Sequence, residues 1–273
     1  MIKDRCRVEI IQSRQNALIK ERIKLQQKKY RQKTGLFLVE GLRLVEEALV
    51  AGSLAEVFVD ESAGDTDRGL KLLQQSGQRA VACYQVKREI LRALAETESP
   101  QGVVGVARQT RVDLTALPLE HGLLLILDGI QDPGNLGTIW RTAWGAGVDG
   151  IFCLPGTVDP YNSKTVRATM GGIFHVPVLA GPEITWSMLR HWCAERDYQL
   201  VAGDLGARKK HYEVAFRERV ALVIGNEAQG LLTVPVADLD ERVKIPLQKG
   251  AESLNAAVAC GILLYEVIRQ RRQ

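Results

Sequence analysis

The fold of this chain is decided by the stretch LLLILDGIQDPGNLG at residues 123–137. An apolar run of strand length leads into a polar, glycine-containing loop, and a helix is predicted to follow. The same design recurs in VALVIGNEAQG at 220–230 and in VKIPLQKGAESLN at 243–255. Loops at the carboxyl ends of parallel strands meet in one crevice, and glycines let a ligand approach the backbone closely. The three loops therefore predict one composite site.

The spacing of apolar residues on both sides of these segments predicts alternating helices and strands along the whole chain. Residues 1–108 are typical of a small α/β domain, residues 109–121 of a linker, and residues 122–273 of a second α/β domain with a mainly parallel sheet. Strands are expected at 35–40, 56–60, 80–84, 102–108, 123–127, 150–154, 174–178, 198–202, 220–224 and 242–245. Helices are expected over 14–33, from Gly41, over 67–76, 87–96, 139–144 and 252–271.

Composition excludes several classes of protein. Of 273 residues, 46% are apolar and 25% charged, as in soluble globular proteins. The sequence holds no apolar run of the roughly 20 residues that cross a bilayer, and the start MIKDR lacks the apolar core of a signal peptide, so we expect a cytoplasmic protein. The five cysteines are scattered without a Cys-x-x-Cys pair. We therefore expect neither a disulfide framework nor a bound metal.

Positive charge is concentrated at the beginning of the chain. Residues 1–33 hold eleven Lys or Arg against three Asp or Glu, within a total net charge of +4. Such an arm is typical of a surface that binds a polyanion such as RNA or DNA, and Tyr30 is available for stacking. A solvated helix face is the alternative.

Three patterns suggest chemistry that their contexts do not support. Gly145–Gly150 spells the dinucleotide-binding GxGxxG, but it follows a predicted helix and precedes a strand, the reverse of what that site needs. Asp128 and Asp132 could hold magnesium, yet no phosphate-binding loop accompanies them and a turn explains Asp132 equally well. The histidines lack a nucleophile at a recognisable spacing; they are His121, His175, His191 and His211.

Polar side chains follow each of the three strands. Asn135 and Arg141 come after the first, and we expect Arg141 near the start of its helix, where a cation opposes the helix dipole unless an anion binds there. An ion pair with a nearby Asp is the alternative. Glu227 follows the second strand, and Ser253 and Asn255 follow the third, where helix capping would also explain them.

These residues resemble the SpoU (TrmH-like) family of RNA 2′-O-ribose methyltransferases, of the SPOUT class. DPGNLGTIWRTA at 132–143 is similar to the first family motif, IGNEAQGL at 224–231 to the second, and the stretch from Ile245-Pro246 through ESLNAA at 252–257 to the third. The first domain resembles the RNA substrate-binding domain of many members, through FLVEGLR at 37–43 and SPQG at 99–102.

The resemblance implies a deep trefoil knot, an obligate homodimer whose partner completes each site, and S-adenosylmethionine as methyl donor. It implies that the donor lies against Gly225, Ile245, Leu247 and Leu254. It also implies that the reacting ribose is surrounded by Asn135, Arg141, Glu227, Ser253 and Asn255.

We therefore expect an S-adenosylmethionine-dependent RNA methyltransferase without a metal. Large-subunit (23S) ribosomal RNA is the favoured substrate because of the N-terminal domain, and transfer RNA is the first alternative. Two alternative functions belong to other classes: a non-catalytic RNA-binding protein and a dinucleotide oxidoreductase. Family proposals make Arg141 the base, whereas a guanidinium stays protonated in proteins; we favour a clamp on the adjacent RNA phosphate.

Overall fold

The computed structural model describes residues 8–64, 66–97, 100–110, 114–117 and 119–272. Four features of the sequence interpretation lie wholly or partly outside these residues: Cys6, the first seven residues of the basic arm, Ser99 of SPQG, and positions 111–113 and 118 of the linker. The strands are β1 (Val8–Ile11), β2 (Leu36–Glu40), β3 (Leu54–Val59), β4 (Ala82–Val86), β5 (Val103–Arg108), β6 (Leu123–Asp128), β7 (Gly150–Cys153), β8 (Val178–Ala180), β9 (Gln199–Gly203), β10 (Lys209–Lys210), β11 (Val220–Gly225) and β12 (Glu241–Lys244). The helices are α1 (Ala17–Ile23), α2 (Lys28–Thr34), α3 (Leu42–Val50), α4 (Glu61–Gly64), α5 (Asp67–Gln78), α6 (Arg88–Leu94), α7 (Pro133–Gly145), α8 (Ser163–Ala168), α9 (Trp186–Glu195) and α10 (Ala256–Arg271).

The chain divides into two compact units. The first comprises residues 1–110 and 161–174. It contains a five-stranded mixed sheet in the order β1-β4-β3-β5-β2, in which β5 runs antiparallel to both of its neighbours. Ile19, Leu25 and Phe58 are among the side chains buried in its core.

The second unit comprises residues 111–160 and 175–273 and holds a seven-stranded sheet in the order β10-β12-β9-β11-β6-β7-β8. Every pair of neighbouring strands is parallel, which confirms the predicted α/β class and parallel sheet. Leu123 to Leu127 are all fully buried, because a central strand of a parallel sheet is covered on both faces and so needs an unbroken apolar run. This central position fixes where the loop after β6 emerges.

Residues 161–174 follow β7 in sequence but pack within the first unit. The ring of Phe37 on β2 lies 4.9 Å from that of Tyr161 and 6.2 Å from that of Phe174. Arg167 on α8 donates to the buried carboxylate of Glu40 over 3.4 Å. Aromatic contacts and a buried ion pair thus hold this segment on β2.

Several predicted elements have different ends, and at four of them a local feature gives the reason. The helix expected over 14–33 breaks at Gln27, whose backbone is extended (φ −95°, ψ 132°). The strand expected at 80–84 starts at Ala82, because Ala80 forms a left-handed turn (φ 56°). The strand expected at 174–178 begins only at Val178, after Pro177, which lacks a backbone donor. The last helix begins at Ala256 instead of 252, because Asn255 caps it.

The cysteines of the described residues are buried thiols: Cys83, Cys153, Cys193 and Cys260. Burial raises the pKa of Cys153, Cys193 and Cys260 to about 12. A thiol that stays protonated is a poor nucleophile and metal ligand, so these residues act as small apolar side chains. Among the described helices, none is long and apolar enough to cross a membrane.

Candidate active site

The loops after β6 and β11 begin side by side. The two strands are neighbours, and their register places Asp128 opposite Gly225. The side chain of Asn226 then joins the loops, because its Nδ2 donates to the carbonyl oxygen of Gly129 over 2.9 Å. The predicted gathering of strand-end loops is therefore present at the centre of the sheet.

Asp128 is a structural tie, in the sense that its side chain joins the end of β6 to residues 232–234 through hydrogen bonds. Its carboxylate is fully buried and accepts from the backbone N–H groups of Leu232, Thr233 and Val234 at 2.7, 2.9 and 3.2 Å. The Thr233 hydroxyl adds a fourth hydrogen bond of 2.7 Å. Asp132 instead caps α7, accepting from the Asn135 N–H over 2.8 Å. Within the described residues, no group of three or more His, Cys, Asp or Glu side chains is placed to hold a metal ion.

Replacing Asp128 by asparagine is expected to destabilise the second unit by about 3 kcal/mol, because a neutral amide oxygen accepts the three backbone N–H bonds more weakly than a carboxylate oxygen does. The melting temperature should fall by roughly 10 °C. Asp132→Asn is the matched control, since asparagine caps a helix as well as aspartate does. Equal melting temperatures for the two variants would contradict a buried tie at Asp128.

Asn226 organises the loop after β11, a role that sequence reasoning missed. Its Oδ1 accepts from the N–H groups of Ala228 and Gln229 at 2.9 and 3.1 Å. Its backbone exchanges two hydrogen bonds with Gly230, and Gly230 adopts a left-handed φ of 70°. Asparagine beside glycine is a common turn signal, so this local geometry was accessible from sequence, but the bond to Gly129 was not.

A cavity of about 360 Å³ opens beside this loop. All four residues predicted to contact a cofactor line it: Gly225, Ile245, Leu247 and Leu254. Glu227 and Ser253 line it too. The end of β9 adds Gly203 and Asp204, which sequence analysis did not single out although they also follow a parallel strand.

A chain of hydrogen bonds connects the three loops at the edge of the cavity. Asn135 Nδ2 donates to Glu227 Oε1 over 2.6 Å, and Asn255 Nδ2 donates to Asn135 Oδ1 over 2.8 Å. Asn255 Oδ1 in turn accepts from the N–H groups of Ala257 and Val258 at the start of α10. The Asn135 amide is thereby held in one orientation, and Asn255 both caps a helix and contacts the site.

Arg141 lies elsewhere than its sequence position suggested. Helix α7 begins at Pro133, so Arg141 is two turns inside it and the prediction that it lies at the helix start is wrong. The argument from an opposed helix dipole therefore fails. Arg141 is exposed, it is not among the residues that line the cavity, and no carboxylate of the described residues pairs with it.

The GxGxxG pattern has the structural role that its context predicts. Helix α7 ends at Gly145, Gly147 adopts a left-handed φ of 68°, and β7 starts at Gly150. Glycine is common where a helix ends in this way. These glycines shape a turn on the path from helix to strand and do not cradle a phosphate.

Both parts of the chain match families of known proteins. Residues 122–265 match the SpoU rRNA Methylase family, and residues 16–105 match the MRM3-like substrate binding domain. This chain belongs to the SpoU rRNA methylase family. It is similar to the Bacillus subtilis 23S rRNA (guanosine(2553)-2′-O)-methyltransferase RlmP, with 35% identity over 259 residues. The alignment covers 94% of this chain and 98% of that relative.

Solved structures of SpoU-type enzymes share the fold over almost the whole chain. The AdoMet-bound rRNA methyltransferase from Sinorhizobium meliloti has a TM-score of 0.84 at 31% identity, covering 96% of this chain and 98% of that one. The SpoU methyltransferase AviRb from Streptomyces viridochromogenes, in complex with AdoMet, has a TM-score of 0.81 at 28% identity, covering 95% and 99%. This SpoU protein is thus an RNA ribose 2′-O-methyltransferase, and its cofactor is S-adenosylmethionine.

The cavity suits this cofactor. Its volume falls within the roughly 300–1,000 Å³ of small-molecule sites. Leu247, Leu254 and Leu263 give the cavity apolar walls that would suit an adenine ring, and strand ends leave backbone groups that would be available for hydrogen bonds. The Asp204 carboxylate at the cavity wall is ion-paired with Arg242 over 2.8 Å and accepts from the N–H of Gly206 over 2.8 Å.

Proposed function

We propose that this methyltransferase modifies the 2′-hydroxyl of one ribose in 23S ribosomal RNA. Glu227 lines the cofactor cavity and is also part of the Glu227–Asn135–Asn255 hydrogen-bond chain, and this double position is the main support for the proposal. A ribose on that chain would therefore lie beside the bound methyl donor. The 23S rRNA specificity named for the Bacillus relative supports the choice of substrate.

In this proposal the protein contributes mainly alignment. Methyl transfer from a sulfonium to a hydroxyl is an in-line displacement, and fixing the two reactants supplies much of the rate. The Asn135 amide and the Ser253 hydroxyl position the ribose, and Glu227 holds the amide in place. Arg141 clamps the neighbouring RNA phosphate and stabilises negative charge that develops on the ribose oxygen. The departing proton passes to that phosphate or to water.

The Asn135–Glu227 contact gives a test of this alignment. We expect Asn135→Ala and Glu227→Ala each to slow methyl transfer, and the double variant to lose less than the sum of the two losses, with a coupling of about 1–2 kcal/mol. Single-turnover rates at saturating cofactor would measure it. Thr138→Ala on the exposed side of α7 serves as a control for effects on the helix. Fully additive losses would separate the two residues functionally.

The substrate can be identified directly. Positions of 2′-O-methylation in 23S ribosomal RNA would be mapped in cells with and without the gene, and the purified protein would then be supplied with the unmodified RNA. One position is expected to lose its methyl group and to regain it in vitro. Loss at a transfer RNA position, with ribosomal RNA unchanged, would overturn the proposal.

We also propose a homodimer in which Arg141 of each chain completes the cavity of the other. Two observations support it: the absence of Arg141 from the lining of its own cavity, and exposed large side chains on the adjacent helices α7 and α10. Trp144, Val258 and Tyr265 are 39%, 52% and 53% exposed, and the Tyr265 hydroxyl lies beside Gly145. Exposed apolar groups concentrated on neighbouring helices are typical of interfaces.

We also propose that the second unit forms a trefoil knot and that the protein is cytoplasmic. The order of strands is compatible with a knot, because β12 lies on the far side of β9 from β11 while α10 returns to pack on α7. A ribosomal RNA substrate would place the protein where ribosomes are made. Fluorescence microscopy of a tagged full-length chain would test the location.

A further inference from the structure

The first unit carries an unusually one-sided distribution of charge in its helical segment. Residues 12–34, which include α1 and α2, hold eight Lys or Arg side chains and one Glu. This segment joins α1 to α2 through a short 3-10 turn at Lys24–Gln26. Some of these cations make hydrogen bonds inside the protein, and others are exposed and could bind a ligand.

Two of the arginines are used internally. Arg22 forms a two-pronged ion pair with Glu56 on β3, with its Nε 2.7 Å from Oε2. Arg31 is only 5% exposed, and its NH1 donates to the carbonyl oxygens of Leu25 and Gln26 at 2.8 and 2.7 Å. Arg22 therefore holds the helical segment on β3, and Arg31 holds α2 on the 3-10 turn, so neither guanidinium group can bind RNA without losing these contacts.

Several lysines remain on the surface. Lys20, Lys29 and Lys33 are exposed, and among the described residues none of the three has a carboxylate within ion-pair distance. Lys29 and Lys33 are one turn apart, so they share a face of α2. Lys24, between α1 and α2, forms an exposed ion pair with Glu21 of α1. The pKa of Glu21 is lowered chiefly by its hydrogen bond to Lys24, and by the charge of Lys33 to a smaller extent.

This face also presents an aromatic ring and a hollow. The Lys24 ammonium lies 5.5 Å from the centre of the half-buried Tyr30 ring. A surface hollow beside α1 is lined by Arg14, Lys20 and Lys24 and also by Glu21, whose exposed ion pair with Lys24 is of the weak kind that a phosphate can replace. The apolar side chains of the segment point inward, since Ile19 and Leu25 are 0% and 2% exposed. A membrane-surface helix would instead need an exposed apolar face.

From these contacts we propose that the face formed by Arg14, Lys20, Lys24, Lys29, Tyr30 and Lys33 binds the phosphate backbone of the RNA substrate without reading its sequence. Flexible ammonium groups bind phosphates as point charges and carry no base information. The face thus supplies affinity, and the choice of nucleotide is made elsewhere. This inference rests on the proposed RNA methyltransferase function.

The test uses the full-length protein and two charge-matched variants. Lys29→Gln with Lys33→Gln removes two positive charges from the face. Arg68→Gln with Lys71→Gln removes two exposed positive charges from α5, which packs on α3, β3 and β4 of the same unit. Binding of a 23S ribosomal RNA transcript and of an unrelated transcript of equal length would be measured across a salt series, together with S-adenosylmethionine affinity.

We expect the Lys29/Lys33 variant to bind both transcripts roughly tenfold more weakly near 0.15 M salt and to lower the slope of log K against log salt by about 1.4–1.8. Cofactor affinity should not change, and the Arg68/Lys71 variant should bind as the wild type does. Equal losses in both variants, wild-type binding by the first, or a loss confined to one transcript would overturn the inference. A wild-type protein that binds both RNAs but methylates neither 23S RNA nor transfer RNA would refute the proposed function and leave the face intact.

Discussion

Changing Arg141 to alanine is expected to slow methyl transfer by about 100- to 1,000-fold, the usual loss when one group that stabilises transition-state charge is removed. S-adenosylmethionine should bind with unchanged affinity, because Arg141 does not line the cavity of its own chain and, in the proposed dimer, contacts RNA at the partner's site. The guanidinium of Arg141 is exposed and has no carboxylate partner in the described part of the chain, so it is available for an RNA phosphate and for charge on the ribose oxygen. Single-turnover rates and calorimetric cofactor titrations would measure the two effects separately.

Two further variants distinguish the possible roles of Arg141. Arg141→Lys keeps a positive charge and should retain measurable turnover if Arg141 is a clamp, whereas a guanidine base would lose nearly all of it. Arg217→Ala is the control, because Arg217 is also an exposed arginine of the second unit and, among the residues that the structure describes, its ion pair is with the exposed Asp197 over 3.3 Å. Weakened RNA binding by Arg141→Ala would further favour the clamp.

The second large effect is expected at Gly225. A Cβ atom at this position would lie 2.5 Å from the backbone carbon and oxygen of Gly230, so Gly225→Ala must push apart the turn that borders the cavity. A displacement of about 1 Å in such a site can cost roughly 100-fold in rate, and cofactor affinity should fall with it. Isothermal titration with S-adenosylmethionine would record the loss.

Gly206→Ala is a matched control for this experiment. Its added Cβ would lie 3.4 Å from Asp204 Oδ1, an ordinary contact, beside the same cavity. We expect near-wild-type cofactor binding. Gly225→Ala should still fold, since overpacking of this kind costs about 1–3 kcal/mol, and a thermal melt would establish that. Unchanged cofactor affinity in a folded Gly225→Ala protein would remove the 225–230 turn from the cofactor site.

The two inactive variants together test the shared site. If Arg141 serves the cavity of the partner, a heterodimer of Arg141→Ala and Gly225→Ala chains has one intact site and one doubly damaged site. Random exchange of an equimolar mixture would then restore about one quarter of the wild-type activity. If each chain is self-sufficient, mixing restores nothing, and the proposed exchange of Arg141 between subunits is wrong.

Strand-end loops were the part of the site most accessible from sequence. An unbroken apolar run such as Leu123–Leu127 predicts a buried parallel strand, and parallel strands bring the loops that follow them to one edge. This reasoning placed the loops after the strands at 220–224 and 242–245 in one crevice without any knowledge of the ligand, whereas Gly225 and Ile245 were singled out by the family resemblance. The methyl donor itself came from the family resemblance, because apolar walls and backbone groups suit many cofactors.

Other features depend on contacts that a single sequence does not encode locally. Asn135 lies 92 residues from Glu227 and 120 from Asn255, so their hydrogen-bond chain exists only in the folded sheet. Asp128 carries the same residue type that a metal site would use, and only its four donors identify it as a tie. Arg141 was misplaced because a helix start was inferred six residues too late.

The packing of residues 161–174 on β2 has a consequence for building chimaeras. A cut in the 109–121 region does not separate the two units, because the chain returns to the first unit at Tyr161 and leaves it again after Phe174. If residues 1–110 alone were transplanted onto another SpoU enzyme, Phe37 would lose its contact with the Tyr161 ring and Glu40 would lose its ion pair with Arg167. A substrate-binding unit exchanged between relatives must therefore travel as two pieces of sequence, and recombination at a single crossover point would be selected against.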